Sequence, residues 1–226
     1  MLITEKICIL EHTAKTPQLQ LYVREFFCEN GLTLYTWPGG VLLAAFVASR
    51  SNEFFGSSCL ELGSGTGLPA IVAAKIGAKH CVLTERNDTQ ILTNLRLMVT
   101  TNNVSHCTTV MALDWHQHDL ATLCTMTTVD FILGADVFYS SEDFDPVLSI
   151  VETMTRVNPQ TIFYTTYQER SSRRTLCPLL DKYGLQAEVI PLSSFLHSGH
   201  ETGFSNVCIS FDSLMLLKIV RKADSS

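Results

Sequence analysis

From about residue 58 onward, short runs rich in β-branched and aliphatic side chains alternate with stretches whose apolar positions recur every three or four residues. That alternation predicts βαβ units carrying a mostly parallel sheet. Residues 58–62 read as a first strand, 68–76 as a helix, 80–84 as a second strand, and 88–101 as a helix with Ile91, Leu92, Leu95 and Leu97/Met98 at its apolar positions. A third strand follows at 108–113 and a fourth at 129–135, whose almost unbroken apolar run suits the centre of a sheet. The next helix is expected to take Ser140 or Ser141 as N-cap, with Glu142 and Asp143 in its first turn, where they complement the dipole. Residues 161–167 give a fifth strand and 172–182 a helix ending before Gly184. Two closing strands near 186–191 and 213–220 are joined by a long polar segment, 193–212, placed to lie over a site.

Five such units closed by two terminal strands describe an α/β, Rossmann-like sheet of seven strands with helices on both faces. Residues 1–57 precede it as an N-terminal extension packing on the core, broken by Pro38, Gly39 and Gly40 before a helical run at 41–50. A chain of 226 residues with 46% apolar and 17% charged side chains is sized for one structural domain. A formal charge of −6 leaves no basic footprint for a phosphate backbone, so direct nucleic-acid binding is disfavoured and a cationic partner allowed. No stretch approaches the roughly 18 apolar residues of a membrane span. Glu5, Lys6, Glu11 and His12 fall inside what would be a signal core, so the expected compartments are cytoplasm and nucleus. The eight cysteines lie far apart without a C-x-x-C pair, mostly in apolar runs, and read as buried free thiols rather than disulfides or metal ligands.

The most informative stretch is Glu61-Leu62-Gly63-Ser64-Gly65-Thr66-Gly67-Leu68, which joins the first strand to the first helix. Glycines there let a ligand lie against the backbone, and the helix N-terminus adds partly positive N–H groups. A dinucleotide fingerprint would need its third glycine one residue later, where Leu68 stands, so NAD and FAD are demoted. Acid-x-Gly-x-Gly-x-Gly after a strand instead resembles the pattern of S-adenosylmethionine enzymes, in which Glu61 would face the cationic methionine end. Glu85, 22 residues after Gly63, ends the second strand, where an acid can accept hydrogen bonds from both ribose hydroxyls. The third strand runs into Leu113-Asp114-Trp115, a short acid and a large π face for an adenine pocket. Thr66 and Ala135 complete the expected cofactor set. His116 and His118, without a further clustered ligand, read as ordinary surface residues.

Open α/β sheets bind ligands at the carboxyl ends of their strands, so the tip of the fourth strand, Ala135-Asp136-Val137-Phe138-Tyr139, faces the acceptor. Neither the Asn/Asp-Pro-Pro-aromatic signature of amino-directed nucleobase methyltransferases nor a Pro-Cys nucleophile stands there. Asp136 is the expected acceptor-side carboxylate, with Phe138 and Tyr139 as an aromatic wall and Glu142, Asp143 and Asp145 close behind. An acidic field beside aromatics can hold a Lys or Arg side chain and exclude water. The later acids can equally be helix-capping residues.

Together these residues resemble the seven-strand methyltransferases of the methyltransferase-like, lysine-methyltransferase group (family sixteen), from Tyr35-Thr36-Trp37-Pro38 through Glu61 to Gly67, Asn94, Leu113-Asp114-Trp115 and Asp136 to Tyr139. The resemblance implies a sheet order of 3-2-1-4-5-7-6, a methyltransferase domain over 58–226, and S-adenosyl-L-methionine as cofactor with S-adenosyl-L-homocysteine as product. Within the group, Asp136-Val137-Phe138 with Glu142-Asp143-Phe144, Thr166-Tyr167-Gln168-x-Arg170-Ser171 and Ile190-Pro191-Leu192-x-Ser194-Phe195 match a histone arginine methyltransferase of nucleus and cytoplasm. The resemblance further implies Trp37 near the cofactor, Tyr167 and Arg170 on the acceptor side with Glu142, a protein substrate such as a histone, and chaperone-type partners. The Asp-x-x-Tyr tip has the form of lysine-modifying relatives, and no paired-glutamate loop is evident, so lysine stays open beside arginine. A small-molecule methyltransferase, sharing the cofactor residues, and a non-catalytic partner-binding protein are the remaining alternatives.

Overall fold

The computed structural model describes residues 2–10, 19–27, 33–117, 128–168, 175–196, 211 and 213–223. The extension contains strands that the hydropathy pattern did not announce. β1 (Leu2–Leu10) and β2 (Leu19–Phe27) pair antiparallel, and β3 (Thr33–Leu34) joins β2 at Phe26 and Phe27. Helices α1 (Pro38–Ser49) and α2 (Ser51–Phe54) follow. Pro38 opens α1 rather than breaking the chain ahead of it, because the first helical position has no use for the missing N–H.

Beyond the extension come β4 (Ser58–Glu61), α3 (Leu68–Lys75), β5 (His80–Glu85), α4 (Thr89–Thr101), β6 (Thr108–Ala112) and β7 (Phe131–Ala135). Then follow α5 (Phe144–Val157), β8 (Ile162–Gln168), α6 (Cys177–Lys182), β9 (Leu185–Ile190) and β10 (Leu214–Arg221). Seven strands form one sheet in the order β6-β5-β4-β7-β8-β10-β9, which is 3-2-1-4-5-7-6 when counted from β4. The first five are parallel neighbours, and β10 runs antiparallel between β8 and β9. The direction of winding reverses between β4 and β7, so their carboxyl ends diverge into a crevice.

The sheet is covered on both faces. Leu42, Phe46, Ile71 and Met98 pack with β4 and β5 in one buried cluster, and Leu60, Ile132, Val151 and Phe163 in the other. On α5, Val147, Leu148, Val151 and Met154 are buried at the spacing of a single helical face. Its N-terminus differs from expectation. Asp143, not Ser140 or Ser141, occupies the N-cap position, and Asp145 rather than Glu142 is the first-turn acid. Of 172–182, the described helix is Cys177–Lys182, while 172–174 and most of the 193–212 segment lie outside the described residues. Cys8, Cys59, Cys81 and Cys107 are buried free thiols, but Cys177 is exposed.

How the extension attaches follows from hydrogen-bond accounting. Opposite β1, the edge of β2 meets α4, whose Asn94, Met98 and Asn102 recur every fourth residue. Asn102 accepts from the Tyr22 N–H at 2.9 Å and donates to the Tyr22 carbonyl at 2.9 Å. Asn94 donates to the Arg24 carbonyl at 3.2 Å, and the Arg24 N–H reaches Met98 Sδ at 3.1 Å. A four-residue helical step is about 6 Å and a two-residue strand step about 6.7 Å, so one helix face serves alternate strand residues. Asn102→Ala should therefore strip both backbone groups of Tyr22 and destabilise the protein by about 2–3 kcal/mol. Urea unfolding will test this, and a loss below about 0.5 kcal/mol would show that the edge finds other partners.

Candidate active site

Glycine at 63, 65 and 67 takes positive φ (61°, 53° and 73°), folding the chain from β4 into α3 within one tight bend. Position 63 has a further reason to lack a side chain, since a Cβ there would stand 2.8 Å from the indole of Trp115. Gly67 is hemmed by Leu95 and Leu83 at 2.7 and 2.8 Å and faces the core, so its role is packing of α3. The amides of the bend are largely spent within the protein. Ser64 donates to the Thr84 carbonyl at 2.9 Å, Gly67 to the Ser64 carbonyl at 2.6 Å, and Gly65 to Glu85 Oε2 at 3.0 Å. A pyrophosphate needs such N–H groups free, so this bend is no anion cradle. What it offers instead is a carboxylate, for Glu85 is held by the Gly65 and Arg86 amides with lone pairs left over for ribose hydroxyls.

Above the bend opens a cavity of about 460 Å³. Its floor is Gly63 and Gly65, one side is Leu113, Asp114 and Trp115, and the other is Ala135, Asp136, Val137 and Tyr139. Leu34, Tyr35 and Trp37 close the front from the extension, with Trp37 and Tyr35 edge to face at 5.7 Å between ring centroids. The run Pro38-Gly39-Gly40 makes this front wall possible: a Cβ at Gly39 would lie 2.5 Å from Thr166 Oγ1. The bare turn lets α1 start directly against β8 and brings Trp37 to the crevice. Among the described residues, Glu85, Asp114, Asp136 and Asp143 line the cavity against one permanent cation, Arg86, and their field favours positively charged occupants.

Asp136 adopts left-handed backbone, φ 56°, which few non-glycine residues take and Asp tolerates better than most. Its N–H is held by Thr166 through both carbonyl oxygen at 3.2 Å and Oγ1 at 3.1 Å, which fixes the tip of β7 against β8. Tyr139 is half exposed across the opening. Partial burial first, then the charge of Asp143, raises its phenol above the ordinary value, which keeps it a neutral hydrogen-bonding wall.

Behind the bend lies Glu61, 1% exposed, whose Oε2 has no hydrogen-bond partner among the described residues. Burial pushes its pKa up to about 8, and hydrogen bonds to Ser64 and the Ala70 amide only partly offset this. At neutral pH the buried group therefore carries a proton.

The structure thus brings Trp37, Gly63, Gly65, Glu85, Asp114, Trp115, Ala135, Asp136 and Tyr139 to one cavity. Glu61, Thr66 and Gly67 stand behind its lining. Phe138 turns into the core beside Phe144, Phe163 and Tyr167, at ring separations of 5.3, 6.3 and 6.3 Å, and the Tyr167 ring is buried with it. Glu142 is exposed and accepts from Ser140 Oγ at 3.2 Å, while Asp145 pairs with Lys182 at 2.5 Å, away from the lining. Arg170 and His118 lie outside the described residues. Of the acids expected behind Asp136, Asp143 reaches the lining, whereas Leu34, Tyr35, Arg86, Ile91 and His116 were not expected at the cavity. Tyr35 and Arg86 adjoin expected residues, but nothing in the spacing of His116 marks it.

With its amides occupied, an acid in the place of an anion hole and two acid-rich flanks, the crevice suits a nucleoside that carries positive charge. The chain falls in the class of Rossmann-like methyltransferases that depend on S-adenosylmethionine. A family model described as lysine methyltransferase matches residues 15–176, and the chain belongs to that family. It is 35% identical over 168 residues to "Histone-arginine methyltransferase METTL23" of Xenopus laevis, covering 74% of this chain and 70% of that protein. It is 33% identical over 129 residues to "Protein N-lysine methyltransferase METTL21A" of Xenopus tropicalis, covering 56% and 57%. Among solved structures, cofactor-bound Rv0187 from MTB superposes with a TM-score of 0.55 at 16% identity over 84% of this chain and 83% of that one, a likeness of fold.

The buried acid makes stability depend on pH. Between 4.5 and about 8 the unfolded chain has released the Glu61 proton while the native state keeps it, so stability falls as pH rises through that window. Glu61→Gln keeps the shape and removes the titration. Urea unfolding at a series of pH values should show the variant's slope less negative by up to about 1.4 kcal/mol per pH unit. Parallel wild-type and variant profiles would mean that Glu61 is ionised in the folded protein.

Proposed function

We propose that the chain transfers a methyl group from S-adenosylmethionine to an arginine guanidinium of a histone. The observation that carries the reading is Asp136, fixed in left-handed backbone at the tip of β7 and lining one cavity with the bend glycines and Tyr139. S-adenosylmethionine supplies an electrophilic methyl carbon on a sulfonium. The protein contributes alignment and charge. Glu85 suits the ribose, Asp114 the exocyclic amine of adenine, and Trp115 the ring face. Asp136 can pair with one edge of a guanidinium and orient a second nitrogen toward the cofactor side of the cavity; as the methyl carbon passes from sulfur to that nitrogen, the sulfonium becomes a neutral thioether and the nitrogen releases one proton, which the acidic lining can accept. Trp37 and Tyr139 narrow the entrance and exclude water, which strengthens that pairing.

The name of the 35% identical relative supports arginine and a histone. An acidic cavity is suited to a strongly basic protein, and residence in nucleus and cytoplasm belongs to the same proposal. A protein lysine acceptor is the second reading, favoured by the lysine methyltransferase family model and the METTL21A relative.

Incubation with core histones and isotopically labelled S-adenosylmethionine, followed by peptide mass spectrometry, should place label on arginine. Label on lysine would transfer the reading to the alternative, and label confined to a metabolite pool would end both. Asp136→Asn retains a residue tolerant of positive φ and deletes the charge. It should lower kcat about 100-fold while S-adenosylhomocysteine affinity stays near wild type. Unimpaired turnover would remove Asp136 from the mechanism.

A further inference from the structure

His116 lines the cavity and makes two hydrogen bonds that join its opposite flanks. Its backbone N–H donates to Asp114 Oδ1 at 2.9 Å, and its Nε2 lies 2.8 Å from Asp143 Oδ1. A carboxylate oxygen only accepts, so the imidazole carries a proton on Nε2 in this pair. Asp143 is buried at the N-cap position of α5 and uses no side-chain bond to cap that helix, which leaves its carboxylate for His116.

The topology makes this contact informative. Asp114 follows β6 and Asp143 follows β7, yet β5 and β4 lie between those strands in the sheet. Three strand intervals span about 14 Å. A link between the two loops therefore crosses the carboxyl ends of β5 and β4, where Glu85 and the bend stand. Trp115, the residue before His116, rests on Gly63 beneath it.

We infer that His116 is a positioning residue for cofactor binding, a strap that ties the Asp114 loop to Asp143 and holds the cavity wall closed over the bend. The adenine-side acid is held in a turn whose far end is anchored to α5. The inference concerns the cofactor side and stands whichever protein side chain accepts the methyl group.

Calorimetric titration of the full chain with S-adenosylhomocysteine tests it without a known acceptor. His116→Ala and Asp143→Ala should each weaken binding about tenfold, and the double variant should be no weaker than the weaker single, because both break one link. His116→Gln, whose amide N–H can reach the same carboxylate, should bind within about threefold of wild type. The melting temperature of the ligand-free single variants should stay within about 3 °C of wild type. Unchanged affinity in both alanine variants, a double loss equal to the sum of the two, or no rescue by glutamine would each overturn the strap. So would an affinity loss accompanied by a collapse in ligand-free melting temperature, since that marks a role in folding alone.

Discussion

The bend at residues 63–67 keeps its hydrogen-bonding groups for the protein itself, and the character of the cavity follows from that. In a dinucleotide fold the corresponding amides wait for a pyrophosphate; here Thr84, Glu85 and Ser64 consume three of them. The bond from Gly65 to Glu85 does two jobs. It satisfies a backbone donor at the cavity floor, and it fixes a carboxylate where a sugar's hydroxyls can reach it. An anionic ligand would meet that acid, whereas a sulfonium nucleoside meets a favourable field reinforced by Asp114 and Asp136. The choice of cofactor is thus written less in the glycines than in what occupies their amides.

Glu61 shows the cost of that arrangement. A carboxyl group with one orphaned oxygen, buried behind the bend, is held in its protonated form by desolvation. A hydrocarbon of similar volume would be more stable in isolation. The Ala70 amide in the first turn of α3 draws its pKa back down, but by less than burial raises it. A strained Asp136 and a buried Glu61 thus flank one cavity, and the well-packed α/β core around them carries both.

The regular parts of the molecule were legible in the sequence because each carries a periodic signal. The parallel strands are short unbroken apolar runs, and the bend, Glu85 and Leu113-Asp114-Trp115 fall at strand ends where α/β sheets bind ligands. The extension was harder to read. In β2 the inward series Leu21, Val23, Glu25 breaks its apolar alternation with a buried acid, which is tolerable only because Lys6 and the Thr36 amide satisfy it at 2.9 Å each. No local pattern announces partners 19 and 11 residues away. The start of α5 was misplaced for a related reason: serines and acids at 140–143 are good capping residues, but Asp143 is engaged by a histidine 27 positions earlier. Aromatic character likewise does not say which way a side chain turns, and so Phe138 proved to be core and Tyr139 wall.

Those long-range bonds bear on how the extension takes part in the site. Lys6 pairs with Glu25, Glu25 accepts from Thr36, and the Thr36 hydroxyl meets that of Thr66 at 3.1 Å inside the bend. The same extension supplies Leu34, Tyr35 and Trp37 to the cavity front. Its attachment runs through the Asn94–Met98–Asn102 face of α4, the helix that follows the Glu85 strand tip. A perturbation that loosens β2 from α4 therefore shifts the front wall and the back of the bend together, because β2 carries both sets of bonds. A polar network of this kind loses most when it is left half satisfied, so the extension and the bend are expected to hold or fail as a unit.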